Sequence, residues 1–478
     1  MGFGVNSAQR LRLRRVVLLV ASLPVAWFLP ALITSRFGWS FNVSFFPFTI
    51  FYFGAAVALW TFGVCPDILA LPLAFAAAFF YFSPADFAFL HSRDFLRIPL
   101  ILALLVAPIR MVWRTPGPAV SWKSAYLPSL DGWRAIAILL VMIDHLVRGI
   151  ADQSHRTANV HLGQHGVNIF FGISGFLITW KLLEEYSQTK TISLFGFYRR
   201  RIYRIFPAAL AYLSVMGILC AVGFLPTTRL ELASTVLYFR NFVPVIWPSF
   251  SNAHFWSLSI EEQFYLFLPA TLLLLGVRRF RVLSIAMIIL CGAWRWYYLG
   301  FFAPANYPFS LRYRTDLRLD GLLCGCLMGM MLQNEEARRW FRKVLTTPVW
   351  IGLALSFCGI IYWLQDRTSL AESLLIPLLL AATVLAPERV PARLLDSKLL
   401  RWVGKISYSL YLWQQFFLLC PVDAWLFRPV QHFPGNLIAT FVCAAASYYL
   451  LERPMLRRAH ATAIEAQPVL RAAAAAAG

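Results

Sequence analysis

The sequence predicts an all-α polytopic membrane protein, with about four transmembrane helices preceding a core of ten. Three observations carry this. Of the 478 residues, 59% are hydrophobic and only 14% charged, far from the balance of a soluble chain of that length. The apolar residues run in many segments of about 18 to 22, long enough to cross roughly 30 Å of hydrocarbon as helices; a membrane β-barrel would show short alternating strands instead. Many of the 17 Trp and 18 Tyr stand at segment ends, where amphipathic rings favour the interface.

Taken in order, the first apolar segments are Val16 to Ser35, Phe41 to Phe62, Ile68 to Phe82 and Phe95 to Trp113. Arg14 and Arg15 before the first resemble the start of an export signal, but the segment is too long for a signal's apolar region and reads as a span. A polar, Pro-containing stretch from Arg114 to Ser129 is the clear internal boundary. Residues 1–125 therefore form an N-terminal block of four spans, 126–458 the core, and 459–478 a low-complexity tail ending in alanines. The core spans begin near Trp133, Gly166, Ile205, His254, Val282, Leu319, Val349, Leu370, Ser407 and Asn436. Glu231 to Trp247 is apolar but short, with Arg240, Asn241 and Pro244 inside it, and reads as a re-entrant or interfacial segment. No internal repeat signals a two-fold transporter architecture.

A net charge of +21 raises nucleic acid as a partner, but the 43 basic residues are spread among short loops, and no soluble basic domain exists to bind it. With the N-terminus inside, about 30 of them fall on the cytoplasmic side. This places a multi-pass protein in the inner (plasma) membrane with both termini cytoplasmic. The eight cysteines lie in or beside apolar segments without zinc-ribbon spacing, and His155, His161 and His165 lack the clustered carboxylates or thiolates of a zinc site. They read as a wet outer loop, and no metal is expected.

Arg134 and His145 stand 11 residues apart in one apolar run. Eleven residues advance a helix about 1,100°, three turns plus roughly 20°, and about 16 Å. Both side chains share a face, and ionisable groups inside hydrocarbon normally line a cavity or pathway. Ser257 and Glu261 are four apart and share a face in the same way, with Glu262 about 100° round. Arg201 and Arg204, at i and i+3 at the entrance of a helix, can face one anion, although an ordinary positive-inside cluster with Arg199 and Arg200 would look the same.

Six stretches together resemble the membrane acyltransferase-3 family. They are Leu130 to Arg134 with His145, Gly166 to Thr179, Arg201 to Pro207, Phe255 to Tyr265, Arg318 to Gly325, and Ile406 to Trp413. The resemblance runs from about Leu127 to Arg458. It implies a ten-helix acyltransferase core that moves an acyl group, commonly acetyl, from cytoplasmic acyl-CoA as co-substrate to a hydroxyl of a carbohydrate or glycolipid of the cell envelope. Attack of an alcohol on a thioester needs a base and a group to stabilise the oxyanion. On this reading His145 is base or acyl-accepting nucleophile, and Arg134 positions the donor or stabilises developing charge. Arg201 and Arg204 bind coenzyme A phosphates, while Ser257 and Glu261 organise the cavity. Asp320 with Arg318, and Glu452 with Arg453, read as helix-packing and interface pairs. Two positions depart from the family pattern: Asn168 stands where an acid is common, and Gln414 where a histidine follows the tryptophan. The short tail is expected to leave no room for the SGNH-type domain some relatives carry, so transfer would occur in the membrane core or need a partner protein of envelope biosynthesis. The rival reading is a transporter or glycolipid exporter using the same buried charges as a proton or anion pathway; a further one is an inactive scaffold.

Overall fold

A computed structural model describes residues 126–153, 162–243, 251–297, 313–363, 369–419 and 427–458. The chain divides into two compact units, Met1–Thr115 with Leu274–Arg278, and Pro116–Leu273 with Arg279–Gly478. The four expected N-terminal spans, the alanine-rich tail, His155 and His161 lie outside the described residues. Apart from Leu274–Arg278, the described residues belong to the second unit.

Among the described residues every regular element is helical. The principal helices are α1 (Pro128–Gln153), α2 (Leu162–Thr189), α3 (Leu194–Ala221), α4 (Arg229–Val236) and α5 (Phe255–Tyr297). Then come α6 (Thr315–Met331), α7 (Glu335–Val344), α8 (Thr347–Trp363), α9 (Ser369–Leu385), α10 (Val390–Leu395), α11 (Lys398–Lys405), α12 (Ser407–Leu418), α13 (Arg428–Gln431) and α14 (Gly435–Ser447). α5 joins two of the expected spans across Gly276, whose φ of 73° and ψ of 165° are open to glycine and not to a side-chain-bearing residue.

By length and hydropathy two of the described helices, α2 and α3, can each cross a membrane, and α7 with α8, bent by 79°, adds a third if the pair is one broken span. α2 is interior, with 78% of its apolar window buried; for α3 the share is 33%. Outward on α3 stand Ile202, Leu210 and Ile218, more than half exposed, and Leu355, Ile438 and Leu450 do the same on α8, α14 and the π-turn after it. An apolar coat of this breadth is unstable in water and suits contact with lipid. Membrane character thus follows from the helices, whereas a count of ten core spans is finer than they show.

α3 starts eleven residues before the expected Ile205. Ser193 caps it, its side chain accepting from Gly196 N–H, and Arg199 to Arg204 lie inside the helix. Arginines lower the hydropathy of a window without lowering helix propensity, so the hydrophobic run marks only the later part. The short segment expected at Glu231 to Trp247 is α4, opened by a reciprocal Thr228 and Glu231 capping box, then a turn of 3-10 helix at Arg240–Phe242; residues 244–250 lie outside the described set.

Two parallel helices, α2 and α6, form the axis of the unit. They approach until backbone meets backbone: Gly175 faces the Leu322 carbonyl, Gly325 the Gly172 carbonyl, and Gly329 the Phe176 carbonyl. Small residues permit such contact, the usual device for helix pairing in lipid. α1 leans on α2 where Gly166 meets the Ala137 carbonyl, and α11 on α1 where Gly404 meets the Asp131 carbonyl. A Cβ at Gly175 would overlap backbone that cannot yield, so Gly175→Ala should cost about 1–3 kcal/mol and Gly175→Val more. Gly217→Ala, inside α3 with nothing within 4 Å of the added carbon, should keep or slightly raise thermal stability in detergent, since Ala favours a helix interior over Gly, and the two transitions measured side by side provide the check.

Candidate functional site

Helix α1 carries Arg134 near its start and His145 three turns on, as the spacing predicts. His145 Nδ1 lies 2.6 Å from Gln414 Oε1 of α12. The amide orientation is set by its other end, where Gln414 Nε2 donates to the Tyr411 carbonyl at 3.4 Å. With the amide in this orientation its oxygen accepts from Nδ1–H, and a neutral ring so bonded keeps its lone pair on Nε2. Gln414 is wholly buried. The neighbouring carboxylate, Asp144, is engaged by Arg148 at 3.2 Å.

Arg134 occupies the other end. Its Nη1 is 3.0 Å from Asp131 Oδ1, and Asp131 also accepts from the Tyr126 hydroxyl. From α3, Arg204 and Arg201 come within electrostatic reach of Arg134. Arg201 lies over the Tyr265 ring at 4.4 Å. Glu261 accepts from Ser174 Oγ and from the Tyr265 hydroxyl, each at 3.1 Å, and interacts with Arg201 and Arg204. Glu452 accepts from Ser409 and interacts with Arg204. Three guanidinium groups from α1 and α3 thus converge, with carboxylates from α1, α5 and the π-turn after α14 around them. The fork geometry of arginine suits phosphate, and three such groups suit a polyanion.

α5 bridges the two ends. Ser257 Oγ is 2.6 Å from the Tyr411 hydroxyl, and that hydroxyl donates to the His254 carbonyl at 3.0 Å. Tyr411 and Gln414 are one turn apart on α12, so Ser257 belongs to the His145 end. Glu261, about 6 Å further along α5, belongs to the arginine end. The predicted residues therefore form two groups along one α1 face: His145 with Ser257, and Arg134 with Arg201, Arg204 and Glu261.

Several pairings differ from expectation. Asp320 pairs with Arg295 of α5 through two bonds of 2.8 and 3.0 Å, and not with Arg318. Glu452 turns inward to Ser409, while Arg453 lies over the Tyr449 ring. His165 is no wet-loop residue: it is buried in α2, with Nδ1 2.7 Å from Glu372 Oε1. Asn168 donates to the same carboxylate, so the acid missing from α2 is supplied by α9. Glu372 carries no local motif, and only its position in an apolar stretch marked it. Ser174, Tyr265, Tyr411 and His254 are further polar residues of the centre. His254 is buried among the rings of Tyr212, Phe255 and Tyr411. Among the described residues no cluster of three or more His, Cys, Asp or Glu is disposed to hold a metal ion.

An all-helical membrane core with an imidazole at one end of a buried helix and an arginine cluster at the other is the class that fold and site define. The chain belongs to the acyltransferase family whose model, described as an acyltransferase domain, matches residues 127–452. Among its relatives, a Staphylococcus aureus (strain MRSA252) protein provisionally named an O-acetyltransferase is 32% identical over 379 residues, 71% of this chain and 59% of that protein. A Bacillus subtilis (strain 168) protein provisionally named a peptidoglycan O-acetyltransferase is 30% identical over 69% of this chain and 55% of its own length. The peptidoglycan O-acetyltransferase of Listeria monocytogenes is 28% identical over 70% of this chain and 56% of its own. The chain thus spans less than 60% of the length of these relatives. No solved structure matches it.

Gln414→Leu keeps the volume and removes the side-chain acceptor on His145 Nδ1. Loss of one buried hydrogen bond of about 1–3 kcal/mol should lower any turnover that uses this imidazole as a base roughly 10–100-fold. Gln414→Glu, which still accepts from Nδ1–H, should retain more activity; initial rates compared at equal folded protein check the order.

Proposed function

We propose that this protein is a membrane O-acyltransferase that moves an acyl group, acetyl in the first instance, from cytoplasmic acyl-CoA to a hydroxyl of a cell-envelope carbohydrate or glycolipid. The observation that carries the reading is the pairing, on one helix, of a tautomer-fixed imidazole with a three-arginine cluster about 16 Å away. Coenzyme A is a polyphosphate joined to its thiol by a long pantetheine arm. Phosphates at Arg134, Arg201 and Arg204 leave the thioester free to reach His145. The gap also separates the two roles the sequence left open for Arg134. A guanidinium three turns from the base is too far to stabilise an oxyanion there, so Arg134 positions the donor.

In this mechanism His145 Nε2 takes the proton of the acceptor hydroxyl as its oxygen attacks the thioester carbonyl. The tetrahedral oxyanion collapses, the carbon–sulfur bond breaks, and the coenzyme A thiolate takes the proton back from the imidazolium. Gln414 holds the ring in the one tautomer that allows this. Ser257, fixed by Tyr411, and Glu261, fixed by Ser174 and Tyr265, keep α5 aligned between the two ends. The basic loops favour a ten-span core with the arginine end at the cytoplasm and the His145 end toward the outer leaflet, with both termini inside and in the plasma membrane. Relatives named for peptidoglycan O-acetylation support a peptidoglycan-type saccharide as the acceptor class, reached directly or through a partner protein of the envelope.

Purified protein in lipid, given labelled acetyl-CoA and cell-wall saccharide, should release coenzyme A and label the saccharide, and His145→Ala should remove both signals. Net movement of saccharide across the membrane with no thioester cleavage in the parent would instead establish an exporter. On the donor side, Arg201→Ala and Arg204→Ala should each raise the KM for acetyl-CoA roughly 10–100-fold, the worth of a charge-assisted hydrogen bond, with kcat changed far less. Steady-state kinetics over donor concentration separate the two parameters.

A further inference from the structure

Among the described residues five arginines are less than a tenth exposed: Arg240, Arg295, Arg314, Arg318 and Arg338. Four have a carboxylate. Arg240 pairs with Glu231 at 3.2 Å, Arg295 with Asp320 at 2.8 Å, Arg314 with Asp316 at 3.0 Å, and Arg338 with Glu335. Arg318 has none, and its Nε and Nη1 find no hydrogen-bond acceptor although the residue is 4% exposed. Its guanidinium lies over two rings, Trp256 at 5.8 Å and Tyr313 at 5.5 Å, which stack on each other at 4.1 Å. Cation–π attraction at such distances is weaker than the cost of desolvating a guanidinium. The nearby acids are already bound: Asp320 by Arg295, Asp316 by Arg314 and Trp294, Glu372 by His165 and Asn168.

Position adds a second argument. α2 begins beside Asp144, the residue before His145, since Gly163 abuts that side chain. α6 runs parallel to α2, with Gly321 against Phe171, so its first turns, and Arg318 with them, lie toward the same end. Trp256 is next to Ser257, which the Tyr411 hydroxyl ties to the His145 group. The unpaired guanidinium is thus beside the residue that precedes Ser257, in the half of the core where α2 and α6 begin.

We propose that Arg318, walled by Trp256 and Tyr313, is the docking point for an anionic group, carboxylate or phosphate, on the acceptor saccharide. This rests on the acyl-transfer reading for its purpose, but not for its test. A seated oxyanion would supply the acceptor that the guanidinium lacks and would anchor the saccharide near His145. Acceptors bearing such a group would be selected over neutral ones.

The test is equilibrium binding to the full-length protein in phosphatidylglycerol-containing nanodiscs, without donor. Three probes are used: N-acetylglucosaminyl-N-acetylmuramic acid with its free carboxylate, the methyl ester of the same disaccharide, and N-acetylglucosamine 1-phosphate. The parent should bind at least one anionic probe roughly 10–100-fold more tightly than the ester, the worth of a charged hydrogen bond, and which one binds tells carboxylate from phosphate. Arg318→Gln should abolish the preference while leaving coenzyme A binding unchanged, and Arg318→Lys should keep part of it. Equal affinity for all three probes in the parent, or a preference that survives Arg318→Gln, would overturn the proposal. Should the Gln variant fail to fold, the parent's preference and its reduction in the Lys variant decide. A parent that binds the anionic probe but never cleaves acetyl-CoA would remove the acyl-transfer reading and leave the anion site standing.

Discussion

The constraint on which this core depends is that a charge taken out of water must meet its partner inside the protein. The helices are arranged around that requirement as much as around apolar packing. Asp131 holds Arg134, Asp320 holds Arg295, Glu231 holds Arg240, and Glu372 holds His165. Two of these pairs, Asp320 with Arg295 and Glu372 with His165, join different long helices, and each fixes the register of one helix against another. The glycine contacts of α2 and α6 then bring backbones close enough for such short side-chain reaches to close.

Pairing of this kind also divides the interior into two chemically distinct ends. At one end arginines outnumber the carboxylates that hydrogen-bond them directly: Asp131 bonds Arg134, whereas Glu261 and Glu452 bond hydroxyls and act on Arg201 and Arg204 only through space. The guanidinium donors there stay free for a polyanion. At the other end the groups that touch His145 and Ser257 are neutral, an amide and a phenol. The proposal of a long donor, with anionic and reactive parts far apart, rests on this separation of a charged end from a neutral one.

Much of this was legible in the sequence, for reasons of period. Arg134 and His145 lie in a continuous apolar run, and a helix of known pitch leaves no freedom about which face they share. Ser257 and Glu261 follow the same rule. What the sequence misassigned were the partners of Asp320 and Glu452, each matched to a nearby arginine in the chain. Residues one or two apart on a helix point about 100° or 200° away from each other, so adjacency argues against contact, and the observed partners come from α5 and α12. His165 was misread because a histidine before an apolar run looks like loop until the helix is known to begin at Leu162. Glu372 and Arg318 show the opposite limit. Both stood in plain view, but whether a buried charge is matched depends on side chains brought from distant segments.

Gln414 is the position where sequence and structure inform each other most. As a departure from the family pattern it put a second titrating group in doubt. In the structure it is the hydrogen-bond partner of His145 itself. A histidine at 414 would bring a second ring with its own choice of tautomer, and the proton on His145 Nδ1 would then depend on its neighbour's state. An amide whose nitrogen is committed to the Tyr411 carbonyl presents only its oxygen. The ring is thereby oriented by a neutral hydrogen-bond partner, while the charge of the preceding Asp144 is engaged by Arg148. A neutral ring so oriented keeps its Nε2 lone pair free, which serves proton transfer and nucleophilic attack alike, so the proposed base role rests on the proposed reaction and not on the tautomer.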